Sequence, residues 1–261
     1  MGKLVVYYHI YLTDDAAAWS SIFLEQMKCM EDHELLKKID EVQVTAVGKN
    51  DRRRTEFFNL CDTYPANFEI EFVDNPLKND TQMVTNIDKG KIASENITYQ
   101  KIWDDCQKKD QTVLYLHSKG ITSFERLLKT DTKEGARAFK RYYYWRQFLN
   151  WGAIENWRAM INALDTHDVA GINYQAEPSP HFSGAFWWST SKHIRTLPDP
   201  STNDWWKKVK SKSKDPWFSK APDRYKDEHW VTQGDKIKIF NLIKNKINPY
   251  HTLLTKDKYK G

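Results

Sequence analysis

A short apolar segment that ends in two side chains able to contact an anion is the part of the chain with the clearest chemical potential. Residues 113–116 (VLYL) are strand-forming types too few for a helix, and His117-Ser118-Lys119-Gly120 follows them directly. Ligands of open α/β sheets bind beyond the carboxyl ends of the strands, and a lysine ammonium is a compact charge suited to phosphate. The pattern predicts a strand that presents Lys119, with His117, to an anionic ligand. The alternative is a solvated lysine beside a glycine turn.

A second group, Glu95-Asn96-Ile97-Thr98, stands at the start of the helical segment that leads into this strand. Helix N-termini favour anions through their free N–H groups, but a carboxylate at position 95 opposes a bound anion. Glu95 is better suited to holding sugar hydroxyls. The alternative is an ordinary helix cap supplied by Ser94 or Asn96.

The third group is the aromatic segment 181–190, HFSGAFWWST. Gly184 permits close approach of the backbone to a ligand, and His181 and Ser183 can donate hydrogen bonds. Successive rings in a strand point to opposite faces, so one set belongs to the core and the other is expected to form a platform for a sugar ring. Because aromatic strands are often entirely core, a purely structural role is the alternative for Trp187 and Trp188.

Two adjacent carboxylates, Asp227 and Glu228, form the fourth group, flanked by Arg224 and His229 near the start of a helix. Such a pair offers one candidate general base. A solvated charged turn explains the same residues equally well.

Composition narrows the function classes. The 261 residues allow one large α/β domain or two small ones, and the net charge of +5 favours an anionic ligand without the strong basicity of a nucleic-acid binder. Three widely spaced cysteines without a CxxC motif indicate a reducing compartment, so a cytoplasmic location is expected. No apolar run reaches membrane-spanning length, and the N-terminal segment resembles a strand more than a signal peptide.

Strand-like and helix-like segments alternate along the chain, which predicts a parallel sheet with helices on its faces. Strands are expected at 3–12, 40–47, 68–73, 113–116, 168–174 and 181–190. Helices are expected from the caps at 13–15 to about residue 34, at 55–63, 95–108 and 191–197, from 227 onward, and over 133–162 with a break near Gly152. The segment 237–243 fits a strand or a helix, 121–129 a linker, 79–94 and 199–225 loops, and 252–261 a loose tail.

In this order, the segments resemble glycosyltransferases of the GT-A fold, especially a bacterial and viral group with YLHxKG-type and SGxFWW-type motifs. Here these motifs are Tyr115–Gly120 and Ser183–Trp188, and the resemblance covers roughly residues 1–235. It implies a single α/β domain with a GT-A-like, mostly parallel central sheet. Residues 1–120 are then the nucleotide-sugar-binding half and 121–235 the acceptor half, with 236–261 as an extension that packs on the domain.

The resemblance also implies an activity: transfer of a sugar from a UDP- or GDP-sugar to a hydroxyl of a glycan or glycoconjugate, in glycan or polysaccharide biosynthesis. Lys119 then stabilises the leaving diphosphate, and Asp227 or Glu228 is the base of an inverting reaction. The donor-binding residues implied are Tyr8, His9, Tyr11, Glu95, Thr98, His117, Lys119 and Arg146. The acceptor-binding or sugar-binding residues implied are His181, Ser183, Gly184, Trp187 and Trp188.

One departure from the GT-A pattern concerns the metal. Where the fold usually carries Asp-x-Asp with a bound Mn²⁺ or Mg²⁺, this chain has His117-Ser118-Lys119. A lysine can neutralise the diphosphate directly, so the sequence is compatible with a metal-independent reaction, and a cation held by Asp74 or another acid is the alternative. The missing carboxylates also leave open a non-catalytic carbohydrate-binding domain. A nucleic-acid binder using the basic run 207–214 and its tryptophans is disfavoured by the small net charge.

Overall fold

A central sheet of seven strands dominates the computed structural model, which describes residues 2–48, 50–74, 95–130, 132–220, 225–234, 236–243, 247–249 and 251–259. The strands of this sheet are β1 (Lys3–Tyr11), β2 (Glu41–Val47), β3 (Phe68–Val73), β4 (Gln111–His117), β5 (Val169–Gly171), β8 (Trp187–Thr190) and β9 (Ile239–Asn241). Their order is β3-β2-β1-β4-β8-β5-β9, and β6 (Tyr174–Gln175) and β7 (His181–Phe182) form a separate pair. Only β8 runs antiparallel to its neighbours in the large sheet. The expected α/β fold with a mostly parallel sheet is confirmed.

Helices flank this sheet. They are α1 (Ala16–Asp32), α2 (Asp51–Cys61), α3 (Asn96–Lys108), α4 (Ile121–Thr130), α5 (Lys133–Asn150), α6 (Trp157–Ala163), α7 (Ser191–Ile194), α8 (Asp204–Lys212) and α9 (Lys226–His229). Side chains cap three of them: Asp15 accepts from Ala17 N before α1, and Asn50 and Thr132 do the same for α2 and α5. None of the helices in the described ranges is both long enough and apolar enough to cross a membrane.

Alternation along β1 and β4 divides the core between the two faces of the sheet. Tyr8 and Leu116 point into one apolar layer with α1 and α5, whereas Tyr7 and Tyr115 point into the other layer with α3. The helical spacing of α1 buries its apolar stripe, as the sequence predicts; the stripe comprises Trp19, Ile22, Phe23, Met27 and Met30.

The chain order reverses between β1 and β4. Strand β1 pairs with β2 on one side and with β4 on the other, and all three run parallel. His9 and His117 are partners in the register of β1 and β4, so both strands end at the same edge. Open α/β sheets bind ligands at such a switch point, beyond the carboxyl ends of the strands.

Several expected elements differ in the structure. The predicted linker 121–129 is helix α4, and the predicted loop 199–225 contains α8 and a 3₁₀ turn at Phe218–Lys220, because Trp206 and Phe218 are buried. The single strand predicted over 181–190 is split into β7 and β8, since Gly184 and Ala185 both have positive φ. The predicted loop 79–94 lies outside the described residues.

Two other expectations are confirmed, and a third is corrected. The break near Gly152 is a π-helical turn, Trp151–Glu155, that separates α5 from α6. The segment 237–243 supplies β9, which pairs with β5. The tail is less loose than expected, because Leu254 and Tyr259 are buried against the core.

Candidate active site

Lys119 and Glu228 meet beyond the end of β4. The Lys119 Nζ lies 3.7 Å from Glu228 Oε1 and 4.3 Å from the ring centre of Trp145. The lysine side chain is only 15 % exposed, so both the carboxylate and the ring face stabilise its charge. The structure therefore brings together two of the residues predicted for catalysis, Lys119 and Glu228.

A polar cluster lies at the same edge, where the ends of β1 and β4 face the start of α3. His9 Nδ1 is 2.9 Å from Thr98 Oγ1, and His117 Nδ1 is 3.3 Å from Glu95 Oε2. The Tyr115 hydroxyl donates to the same Glu95 oxygen at 2.8 Å. The four predicted donor-binding residues His9, Glu95, Thr98 and His117 are thus neighbours, although β1 is distant in sequence from α3 and β4.

Burial and local charges set the protonation of this cluster. Burial lowers the pKa of His9 to about 4, so the imidazole is neutral at physiological pH. Burial acts to raise the pKa of Glu95, but the charge of neighbouring His117, helped by His9 and Lys119, holds that pKa well below its usual range. The site therefore offers a fixed carboxylate beside a neutral histidine.

A buried polar network lies beneath the turn that carries Lys119. Arg146 donates through Nε to Glu25 Oε1 at 2.7 Å and through a terminal nitrogen to Glu25 Oε2 at 2.9 Å. Its other terminal nitrogen donates to the carbonyl oxygen of Lys119 at 2.8 Å. Gln26 Nε2 reaches the carbonyl oxygen of His117 at 3.4 Å and Asn150 Oδ1 at 3.3 Å. The network fixes the backbone on both sides of Ser118.

Three predicted donor-binding residues belong to this support or to the core beneath it. Arg146 is 3 % exposed and committed to Glu25 and to the Lys119 carbonyl, so its predicted contact with a diphosphate is wrong for this conformation. Tyr8 is fully buried and its hydroxyl donates to Gln26 at 2.5 Å, because its side chain points to the face of β1 opposite His9. Tyr11 is also buried in that layer, and its backbone N–H donates to Ser118 Oγ.

The acceptor segment is packed more tightly than the sequence suggests. Trp187 stacks on Tyr99 and Tyr115, whereas Trp188 donates through Nε1 to the carbonyl oxygen of Ala153 on the opposite face. The predicted alternation of rings is confirmed, but both indoles are buried in the core. The predicted sugar-stacking platform is therefore wrong for Trp187 and Trp188.

Gly184 is required for packing in this structure. Its φ is +99°, and a Cβ there would lie 2.7 Å from Leu149 Cδ1 and 3.0 Å from Trp145 Nε1. The predicted close approach at Gly184 is therefore made to these two side chains. Because Trp145 lies under the Lys119 ammonium, Gly184 supports the site indirectly.

His181 lies near α9, whereas the backbone N–H of Ser183 donates to the carbonyl oxygen of Asn173. His181 Nδ1 is 2.8 Å from the carbonyl oxygen of Ser179, and its ring centre is 4.5 Å from that of His229. Burial, aided by the charge of His181, lowers the pKa of His229 to about 3. Ser183 is buried. Asp227 is also buried, so Glu228 is the better exposed of the two predicted bases.

Sequence motifs missed the supporting residues Glu25, Gln26, Trp145 and Asn150. Gln26 carried one usable signal: it lies on the apolar stripe of α1, where a polar side chain must find a buried partner. Glu25 and Asn150 gave none, because their partners come from other elements. Trp145 gave none either, because no local pattern indicates that its ring lies against Lys119.

The residues at the end of β4 do not fit a divalent cation. In the place of a metal-binding acidic pair stands the Lys119 ammonium, with Glu228 as its carboxylate neighbour. Asp74 pairs with Arg54. Within the described ranges, no cluster of three or more His, Cys, Asp or Glu residues could hold a metal.

Fold and site together define an α/β protein with a charged and polar site at the switch point of a mostly parallel sheet. The chain belongs to a family described as a domain of unknown function (DUF8361), whose model matches residues 7–239. No curated protein matches it. Among solved structures, it is similar to 4-diphosphocytidyl-2C-methyl-D-erythritolsynthase from Anaerococcus prevotii DSM 20548, with 11 % identity and a TM-score of 0.41 over 98 % of this chain and 93 % of that chain.

Proposed function

We propose that the chain is a glycosyltransferase that moves a sugar from a nucleotide-diphosphate sugar to a hydroxyl of a glycan or glycoconjugate. The observation that carries this proposal is the meeting of Lys119 and Glu228 at the switch point of the sheet, 3.7 Å apart. The ordered motifs that resemble GT-A glycosyltransferases support it further.

The pair can perform the two tasks that sugar transfer needs. As the bond between the anomeric carbon and the diphosphate oxygen breaks, its electrons stay on the leaving diphosphate, whose growing charge Lys119 stabilises. A bound diphosphate also competes with Glu228 for the ammonium. The released carboxylate can then take the proton of the acceptor hydroxyl while its oxygen bonds to the anomeric carbon, if the reaction inverts. A retaining reaction uses Lys119 in the same way without this base.

The polar cluster suits the uncharged part of a nucleotide sugar. Glu95 is held as a carboxylate, which accepts hydrogen bonds from hydroxyls, and neutral His9 offers one further donor or acceptor. Glu95 also lies so close to His117 that a ligand bound to one of these residues would interact with the charge of the other. We assign this cluster to ribose or donor-sugar hydroxyls and Lys119 to the diphosphate.

The alternative of a non-catalytic carbohydrate-binding domain, which the missing Asp-x-Asp leaves open, is less well supported. Such domains commonly stack an exposed aromatic face on a sugar ring, and the two indoles expected to provide that face are buried. The Lys119–Glu228 pair also has no role in such a domain.

A thermal-shift panel of UDP-, GDP-, TDP- and CMP-sugars, with and without Mn²⁺, tests the proposal. A ligand that binds only the folded state at 100 times its Kd stabilises by about 2.7 kcal/mol, which raises Tm measurably. We expect one nucleotide class to raise the Tm of the wild type, with release of free nucleotide when a suitable acceptor is added.

Lys101→Gln is a matched control for Lys119→Gln. Lys101 also forms a half-buried ion pair, with its Nζ 3.9 Å from Asp105 Oδ2, but it lies on α3 away from the ends of β1 and β4. Lys101→Gln should keep the donor-induced shift and Lys119→Gln should lose it. The proposal is overturned if no nucleotide sugar raises the Tm, or if both variants respond alike.

A further inference from the structure

The basic segment 204–220 carries a net charge of +4. It contains six lysines, two aspartates and no arginine. Positive charge is therefore dense in this short surface segment.

The basic segment has one side packed on the domain and another exposed to solvent. Trp206 of α8 and Phe218 of the 3₁₀ turn are buried against each other, with ring centres 5.3 Å apart. The exposed lysines are Lys207, Lys208, Lys212, Lys214 and Lys220. The apolar side of the segment thus holds it on the domain, and the opposite side presents ammonium groups to solvent.

Trp217 is an exposed residue of the same segment, with its ring centre 5.4 Å from that of Tyr225. It is 59 % exposed, the highest value among the large exposed hydrophobic side chains of the described residues. Its turn is ordered by Asp215, whose Oδ1 accepts from the backbone N–H groups of Trp217 at 2.8 Å and Phe218 at 3.2 Å. The exposed indole is therefore carried by a hydrogen-bonded turn, next to exposed Pro216.

We propose that the basic segment is a docking surface for an anionic lipid bilayer. The exposed lysines complement the negative surface potential of such a bilayer, and tryptophan prefers the boundary between headgroups and acyl chains. One indole beside several lysines can bind reversibly at the interface without spanning it.

A lipid surface fits these residues better than a nucleic acid does. Single-stranded nucleic acids are held by several aromatic faces that stack on successive bases, commonly with arginine. In this segment Trp206 is buried and Trp205 is half-buried, so Trp217 is the one exposed ring. A surface with several lysines but without a row of exposed aromatic rings fits lipid headgroups better than the bases of a nucleic acid.

The basic segment is fixed to the element that carries Glu228. The ring centre of His229 lies 5.4 Å from that of Trp206 and 5.1 Å from that of Phe218. Lys226 Nζ donates to the Pro200 carbonyl oxygen and to Asn203 Oδ1, which ties α9 to the start of α8. Docking would therefore bring the candidate active site close to the membrane.

Co-sedimentation of the full chain with vesicles tests the docking without donor or acceptor, so its outcome is independent of the proposed transfer reaction. Vesicles of phosphatidylcholine alone are compared with an equal mixture of phosphatidylcholine and phosphatidylglycerol. We expect binding to the mixture that weakens as salt is added.

The triple variant Lys208→Gln, Lys212→Gln, Lys214→Gln should lose about fivefold in affinity per lysine, on the order of 100-fold in total. Trp217→Ser should weaken binding further.

A control triple variant, Lys28→Gln, Lys37→Gln, Lys38→Gln, removes the same charge from exposed lysines on α1 and the turn after it. It should bind the mixed vesicles like the wild type. All the substituted side chains are exposed, and an unchanged Tm verifies folding. The proposal is overturned if the mixed vesicles do not retain the protein, if pure phosphatidylcholine retains it equally, or if both triples lose the same affinity. Tighter binding to a single-stranded oligonucleotide than to the vesicles also overturns it, in favour of a nucleic acid.

Discussion

The ammonium nitrogen of Lys119 lies 3.7 Å from a carboxylate oxygen of Glu228, although β4 and α9 lie in different halves of the chain. Neither side chain is more than a quarter exposed, and Trp145 lies against the ammonium. A half-buried cation and a half-buried anion therefore neutralise each other at the one edge of the sheet where ligands are expected. The proposed reaction separates this pair, which gives each partner a distinct kinetic signature.

Lys119→Gln and Glu228→Gln should differ in which kinetic constant they change. Without the ammonium, both donor affinity and transition-state stabilisation fall, and kcat should drop by about 10²–10³-fold. Without the carboxylate, an inverting reaction loses its base, so kcat should drop by about 10²–10⁴-fold while the donor Kd stays near that of the wild type. Steady-state kinetics combined with donor titration distinguish the two patterns.

Lys101→Gln serves as the control in these assays because it breaks a comparable ion pair outside the candidate site. Its kinetic constants should match those of the wild type. Full activity in Lys119→Gln contradicts the assignment of the diphosphate to that residue. Full activity in Glu228→Gln contradicts the assignment of the base to Glu228 and leaves either Asp227 as the base or a retaining reaction.

Arg146 should prove to be a positioning residue. Arg146→Met leaves the Glu25 carboxylate without its bidentate partner and frees the Lys119 carbonyl oxygen. Breaking a buried pair costs about 3–5 kcal/mol, but Glu25 is partly exposed, so we expect a loss of about 2–3 kcal/mol in the free energy of unfolding. Denaturant unfolding measures this loss.

Arg158→Met is the matched control for Arg146→Met. Arg158 also pairs with a glutamate, at 3.0 Å from Glu34, but both side chains are more than half exposed. We expect this variant to change stability by less than about 0.5 kcal/mol. Equal stability losses in the two variants would contradict a special role for Arg146, as would donor affinity lost in Arg146→Met without any loss of stability.

The sequence predicted the strands better than the contacts between them. The core strands follow from short apolar runs, and the polar residues at their ends follow from the rule that parallel strands end at one edge. His9, His117 and Lys119 were therefore within reach of sequence reasoning. The apolar runs alone do not specify which face of β1 each residue takes, so Tyr8 was placed in the site although its side chain lies in the core beneath.

The predicted loop over 199–225 failed for a different physical reason. Lysines dominate the composition of α8, and its one fully buried side chain, Trp206, packs on Phe218 and His229, which lie outside the helix. A single buried ring gives no helical period. The burial of Arg146 was equally hidden, because its partner Glu25 is on α1 and no local pattern links them.

Gly184→Ala should destabilise the protein more than Gly234→Ala. Both glycines have positive φ, so both substitutions carry backbone strain, of order 1–3 kcal/mol. Only at Gly184 does the new methyl group meet other side chains, Leu149 at 2.7 Å and Trp145 at 3.0 Å, whereas nothing lies within 4 Å at Gly234. Overpacking adds about 1–3 kcal/mol, and thermal unfolding should show Gly184→Ala as the less stable variant by that amount.

The same comparison tests whether Gly184 supports the site. Displacement of Trp145 removes the ring face from under the Lys119 ammonium, so Gly184→Ala should also weaken donor binding. Gly234→Ala should leave it unchanged. If Gly184→Ala is destabilised but binds the donor normally, the coupling between Gly184 and Lys119 through Trp145 is wrong.

Protonation of His9 should contribute to a loss of folding stability as the pH falls from 6.5 to 5. Burial lowers the folded-state pKa of His9 to about 4, whereas the unfolded chain has the ordinary value of about 6.5. In this window the unfolded state binds the extra proton, so stability is present above pH 6.5 and is lost as the pH falls toward the folded-state pKa. The linkage predicts a loss of about 2 kcal/mol between pH 7.5 and pH 5 from this residue. In His9→Gln the loss should be smaller by that amount, measured by urea unfolding at both pH values.

His251→Gln, at an exposed position in the C-terminal segment, should keep the wild-type pH dependence. An identical pH dependence in His9→Gln and the wild type would mean that His9 is protonated to the same extent in the folded and unfolded states, and the site would then lack the neutral imidazole beside Glu95.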